Sequence, residues 1–198
     1  MRKIVSVLVS IFLCHFIYRV RYRGLENVRK LDKCIICPNH SHILDPVWIY
    51  PKVSHMYIMA KSELFKNKFA SFLLRYFGAF PIRRGQKDAR SLIYAIKVLE
   101  NNKKSNLLIF PEGGILKEDK RRKHITDGAT FISAKTEIPI IPVYITENPK
   151  RFSKIYITFG SPIKMDKELL NDKQKMRIKS NELLKSIYSL DERNGKFE

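Results

Sequence analysis

Apolar and polar positions change period several times along this chain. Residues 4–18 (IVSVLVSIFLCHFIY) form an almost unbroken apolar run of fifteen, with Arg2 and Lys3 before it and Arg19, Arg21 and Arg23 after it. A helix that crosses a bilayer needs about twenty such residues. The run is therefore read as a helix lying in one leaflet, or as a short tilted span, with the flanking arginines at the headgroups. A buried core helix is the competing reading. No small-residue cleavage site follows, which argues against a signal peptide, and positive charge on both sides leaves the orientation open.

Beyond that run, short apolar stretches alternate with helical periods. Residues 34–37, 54–59, 106–110, 140–145 and 155–159 read as strands, the last of them edge-like. Residues 88–101 set Ala89, Leu92, Ile93, Ile96 and Leu99 on one helix face, residues 126–135 read as helical, and Met176, Leu183, Ile187 and Leu190 recur at helical spacing near the end. Residues 64–77 place Phe65, Phe69, Phe72, Leu73, Tyr76 and Phe77 at helical spacing and stop at Gly78. Such a stripe is read first as core. Lys66, Lys68 and Arg75 on the remaining positions suit a second reading, a headgroup layer. Strands separated by helices predict an α/β fold around one sheet. The chain divides into a membrane-anchoring segment, residues 1–23, and one domain, residues 24–198, with no repeat or linker inside it.

Charge adds a partner to this picture. With 38 Lys and Arg against 19 Asp and Glu, the formal net charge is +19, a field that attracts polyanions. Nucleic acid and an anionic membrane surface are the two candidates. No recognition-helix, zinc or RNP-type pattern supports nucleic acid, and the apolar N-terminus favours the membrane. The three cysteines, Cys14, Cys34 and Cys37, are too few and too odd for a disulfide framework, which points to a reducing compartment.

Cys34, Cys37, His40 and His42 imitate a zinc knuckle, but all four fall within nine residues, too close for a loop to wrap a metal. On a strand, Cys34 and Cys37 point to opposite faces, so both are read as small buried hydrophobes. The informative pair is His40 and Asp45. They follow the strand five residues apart, and a short turn brings the carboxylate back to one ring nitrogen while the other accepts a proton. That is the base-and-orienter half of a triad without a serine, so the proton comes from a substrate hydroxyl. Taken alone, the pair is a weak signal.

Three further stretches strengthen it. Residues 78–85 (GAFPIRRG) make a glycine-bounded turn that presents Arg83 and Arg84 to a phosphate. Residues 110–114 (FPEGG) leave a strand in a tight turn with the Glu112 carboxylate and backbone N–H groups at Gly113 available to a polar ligand. Residues 138–143 (IPIIPV) form an apolar strand with two prolines, suited to a sheet edge or to a hydrocarbon channel.

With these four blocks in order, the chain resembles the glycerolipid acyltransferase family. The family's N-H-x4-D matches Asn39, His40 and Asp45; its glycine-to-arginine block matches residues 78–84, making Arg84 the motif arginine. Its F-P-E-G-T-R matches residues 110–113 and then departs, with Gly114 and Ile115 in place of Thr-Arg. Its V-P-I-x-P-V matches residues 138–143. Weaker matches carry the likeness over residues 22–163. The resemblance implies a single mixed sheet flanked by helices and an enzyme that moves a fatty acyl group from acyl-CoA or acyl carrier protein to the free hydroxyl of a lysophospholipid. The expected acceptor is 1-acyl-sn-glycerol-3-phosphate, in phospholipid biosynthesis at the cytoplasmic face of the cell membrane. His40 is the implied base and Asp45 its orienter; Asn39, Lys61, Gly78, Arg83, Arg84, Glu112 and Gly113 are the implied substrate-binding residues, and no metal or cofactor is called for. The departure at Gly114 and Ile115 removes one phosphate-binding arginine and leaves the acceptor headgroup open, with the basic run at residues 117–123 as a substitute. His42 stands where the family has a small polar residue.

Overall fold

The computed structural model describes residues 18–83, 89–116 and 122–191. Its elements run β1 (Arg19–Arg23), α1 (Glu26–Arg29), β2 (Lys33–Pro38), α2 (Asp45–Ile49), β3 (Met56–Lys61), α3 (Lys68–Tyr76), β4 (Ala79–Ile82), α4 (Ala89–Asn101), β5 (Ser105–Leu108), α5 (Gly128–Thr136), β6 (Ile140–Ile145), β7 (Lys154–Phe159) and α6 (Lys173–Ser189). The strands make one seven-stranded sheet in the order β1-β7-β6-β2-β5-β3-β4. Strands β2 to β6 run parallel; β7 is antiparallel to β6, and β1 runs parallel to β7. The expected single mixed sheet flanked by helices is therefore present.

Strand β2 shows how residue alternation builds the two layers. Ile35 and Cys37 face one core with α4, α5 and α6, whereas Cys34 and Ile36 face the other with α1 and α2. All four are fully buried, as a central strand covered on both faces requires. The two cysteines thus lie on opposite sides of the sheet, as their spacing predicts, and both are free thiols. Burial pushes the Cys34 thiol up to about 12 and raises Cys37 as well.

Five sequence expectations change. Residues 155–159, read as edge-like, form β7, an interior strand paired on both sides, with β1 and with β6. Residues 19–23 (RVRYR), grouped with the anchor by their arginines, form the edge strand β1: Val20 and Tyr22 pack inward while the three arginines stay exposed. Residues 79–82, read as part of a turn, form β4, the opposite edge, where Pro81 is tolerated because among the described residues no strand lies beyond it. The strand of the two-proline stretch, β6, which keeps Pro142 and leaves Pro139 just before it, is not an edge but a fully buried interior strand. Pro142 fits because pairing with β7 begins only at Val143 and resumes as an isolated bridge between Ile140 and Ile163, so its missing N–H falls in the gap. Finally, the aromatic stripe of α3 is not core. The helix has no buried residue, and Phe69 and Phe72 are 75% and 64% exposed. The expected N-terminal membrane helix lies outside the described residues; among the described residues no helix is long and apolar enough to cross a membrane.

Candidate active site

Because β2 to β6 are parallel, their C-terminal ends share one edge of the sheet, and the loops leaving them carry the candidate residues. The chain runs from β2 outward to β3 and β4, returns to β5, and crosses β2 to reach β6. The end of β2 is thus the point where strand order reverses, the usual place for a crevice in an open α/β sheet.

His40 leaves β2 there. Its Nδ1 lies 2.9 Å from Oδ2 of Asp45, the first residue of α2. The same oxygen accepts the backbone N–H groups of Ser41 and His42, each at 2.9 Å. Three donors converging on one carboxylate oxygen hold the loop and the ring together, and they require Nδ1 to carry the proton. Nε2 is then the ring's acceptor. The ring stacks on Phe110 at 3.9 Å between centroids, inclined by 24°, which blocks rotation and places a π face beside any positive charge that forms on the imidazole. Asp45 is fully buried, whereas the His40 side chain keeps 11% exposure. The pair is an oriented base open to a ligand on one side.

Asn39 fixes the root of this loop. Its Nδ2 donates to the Ile145 carbonyl at 2.9 Å and its Oδ1 accepts the Ile145 N–H at 2.7 Å. With both ends of the amide used and 1% exposure, Asn39 extends the β2–β6 pairing by one side chain instead of facing a substrate. His42 stacks on Trp48, 5.1 Å between centroids, and its Nδ1 accepts the Leu44 N–H at 3.2 Å. It packs the loop and has no contact with the His40–Asp45 hydrogen bond through its ring.

The remaining candidates divide. Lys61 ends β3 at the same edge, exposed and 3.6 Å from Glu63. Arg83 follows β4 at that edge, exposed, and Arg84 lies outside the described residues. Gly78 belongs elsewhere: it precedes β4, at the far end of the strand from Arg83. Its φ of +79°, and the 2.6 Å that would separate an added Cβ from the Met56 carbonyl, make its role conformational. Gly113 also has a positive φ, +75°, in the turn that follows β5. Glu112 is 1% exposed and turned into the core, where its Oε1 accepts the Tyr188 hydroxyl at 2.8 Å. The carbonyl of Pro111 accepts the Thr126 N–H and hydroxyl at 2.7 and 3.0 Å, which clamps the same turn from outside. Of the basic run read as a substitute for the missing arginine, residues 117–121 lie outside the described residues. Arg122 is committed to Glu147 at 2.9 Å and Asp191 at 3.5 Å, with its guanidinium over the Tyr188 ring. Tyr188 carries no mark in the sequence that ties it to Glu112, and Phe110 shows there only as a motif letter, with no sign of its stacking on His40. Among the described residues no group of three or more His, Cys, Asp and Glu is placed to hold a metal ion.

This edge can orient one imidazole, accept one proton and offer cations to an anionic ligand. Known proteins are similar to this chain. The acyltransferase family model matches residues 19–146. A 1-acyl-sn-glycerol-3-phosphate acyltransferase of Streptococcus pneumoniae is 28% identical over 195 residues, covering 93% of this chain and 71% of that protein. A protein of the same name from Borreliella burgdorferi is 30% identical over 168 residues, 83% of this chain and 66% of its own length. The crystal structure of the 1-acyl-sn-glycerophosphate (LPA) acyltransferase PlsC from Thermotoga maritima aligns with a TM-score of 0.71 over the whole of this chain and 83% of that one; at 22% identity it speaks for the fold. The family match spans well over half the sequence, including the His40–Asp45 loop and the turn after β5, and the chain belongs to the acyltransferase family.

Proposed function

We propose that this enzyme transfers a fatty acyl group from an acyl thioester, acyl-CoA or acyl carrier protein, to the free hydroxyl of a lysophospholipid, with 1-acyl-sn-glycerol-3-phosphate as the acceptor, in phospholipid biosynthesis. The observation that carries this reading is the His40 Nδ1–Asp45 Oδ2 contact. Nε2 of His40 takes the acceptor's hydroxyl proton as that oxygen attacks the thioester carbon. The C–S bond then breaks, and the imidazolium returns the proton to the departing thiolate. Asp45 holds the tautomer and offsets the transient positive charge. A backbone N–H group of the loops at this edge stabilises the oxyanion; the Gly113 N–H is already donated to the Phe110 carbonyl at 3.0 Å, and Glu112 acts on that turn from beneath. Lys61, Arg83 and Arg84 meet the acceptor phosphate. The N-terminal segment before β1 holds the enzyme to the cytoplasmic face of the cell membrane, and the chemistry needs no metal or cofactor.

A panel of lysophospholipid acceptors against acyl-CoA and acyl carrier protein donors tests this. Formation of phosphatidic acid, abolished in a folded His40→Ala variant, is the expected result. A folded wild-type enzyme that acylates none of the phosphate-bearing acceptors overturns the assignment.

A further inference from the structure

We propose that α3 and the turn before it form a docking face for an anionic lipid bilayer, with Leu64, Phe69, Phe72 and Leu73 entering the acyl region and Lys66 and Lys68 meeting the headgroups. Phe69, Phe72 and Leu73 stand at i, i+3 and i+4, one face of the helix, and are 75%, 64% and 45% exposed; Leu64, just before the helix, is 48% exposed. The opposite side carries Leu74, which packs with Phe65 on the core. The helix is thus amphipathic with its apolar face outward, the reverse of a core helix. It is also preformed: the side chain of Asn67 caps it by accepting the Ala70 N–H at 3.1 Å, so docking need not order it.

Charge selects the partner. Residues 61–77 carry four cations, Lys61, Lys66, Lys68 and Arg75, and one carboxylate, Glu63, which already pairs with Lys61. Lysine is depleted in the cores of protein interfaces but suits an anionic headgroup layer around an apolar helix face. Position adds a reason. The segment begins where β3 ends, at the edge that bears His40, and Ile43, 71% exposed, projects from the catalytic loop at that edge. A bilayer seated here brings an amphiphilic acceptor to the site. The choice of a bilayer over a protein partner rests on the lipid substrate of the proposed function.

The test uses the full chain with Cys14→Ser, so that Cys34 and Cys37, both buried, leave a new cysteine as the one reactive site. A polarity-sensitive dye is attached at Phe72→Cys, or at Ile178→Cys on α6 across the sheet, and quenching by brominated acyl chains is read in vesicles of phosphatidylglycerol and phosphatidylcholine. Only the Phe72 dye should be quenched. Separately, F69S/F72S should weaken sedimentation with these vesicles at least tenfold, while acylation of a short-chain lysophosphatidic acid below its micelle concentration is kept. Equal quenching at both positions, or unchanged vesicle binding, overturns the docking face. A dye already shifted before vesicles are added, and released by deleting residues 1–17, gives the face to the N-terminal segment and also overturns it. Loss of turnover on the monomeric substrate in the wild type counts against the proposed function instead.

Discussion

The Tyr188 hydroxyl donates to Oε1 of Glu112 at 2.8 Å, joining the last helix to the turn after β5 across 76 residues of sequence. Burial, and then the Glu112 charge, raise the Tyr188 pKa, so the phenol remains a donor throughout the physiological range. Tyr188→Phe removes that donor from a buried carboxylate, which costs about 1–3 kcal/mol. Urea unfolding should show a lower midpoint with an unchanged m value. The kcat should fall as the turn loosens, and a variant with wild-type stability would mean that Glu112 is held by other groups.

At His40, substitution by Ala should lower kcat by roughly 10²–10⁴-fold with the fold intact. Asp45→Asn behaves differently from a simple tautomer swap. The Ser41 and His42 N–H groups both require an oxygen at that position, so the amide turns its oxygen to them and Nδ1 keeps its proton. What is lost is the negative charge, a difference of about 1.5–3 kcal/mol or roughly 10- to 150-fold in kcat. The double variant should be no slower than His40→Ala, since the two act on one proton. His42→Ser should keep most of kcat while losing stability through its contact with Trp48. Stopped-flow or steady-state kinetics on the four variants decide the matter.

Cys34 and Cys37 should not react with thiol reagents at pH 8 in the native Cys14→Ser protein, because both are buried and a thiol with a pKa near 12 is almost entirely protonated there. Both should react once the protein is unfolded in urea. The change to Ala and Val should leave kcat unaltered; its effect should be on stability, partly through the lost Cys34 Sγ contact with Asn106 Oδ1 at 3.1 Å. Native-state labelling followed by mass spectrometry reads the first result.

For the acceptor phosphate, Arg84→Ala should raise KM for the lysophospholipid about 10- to 150-fold, the worth of one charge-assisted hydrogen bond, with KM for the acyl donor unchanged. An unaltered acceptor KM would pass that role to Arg83 or Lys61. Arg122, already paired with Glu147 and Asp191, should affect stability when replaced and leave the acceptor KM in place.

What the sequence by itself determined is what local geometry governs. Alternation along β2 sent Cys34 and Cys37 to opposite cores, because side chains on a strand alternate whatever surrounds it. The five-residue span from His40 to Asp45 closes within one turn, so their hydrogen bond was legible before any fold was known. Only the tertiary structure decided the rest. Whether a strand is an edge depends on which others pair with it, and this made β1 an edge and put β6, Pro142 included, in the interior. A carboxylate in a glycine turn can face ligand or core; Tyr188, 76 residues away, turned Glu112 to the core. An apolar helical period says that a face seeks cover but not what covers it. In α3 the core took Leu74 and left Phe69 and Phe72 outside, because the contacts that cover a helix come from distant elements, and their arrival at a given face is a property of the whole fold.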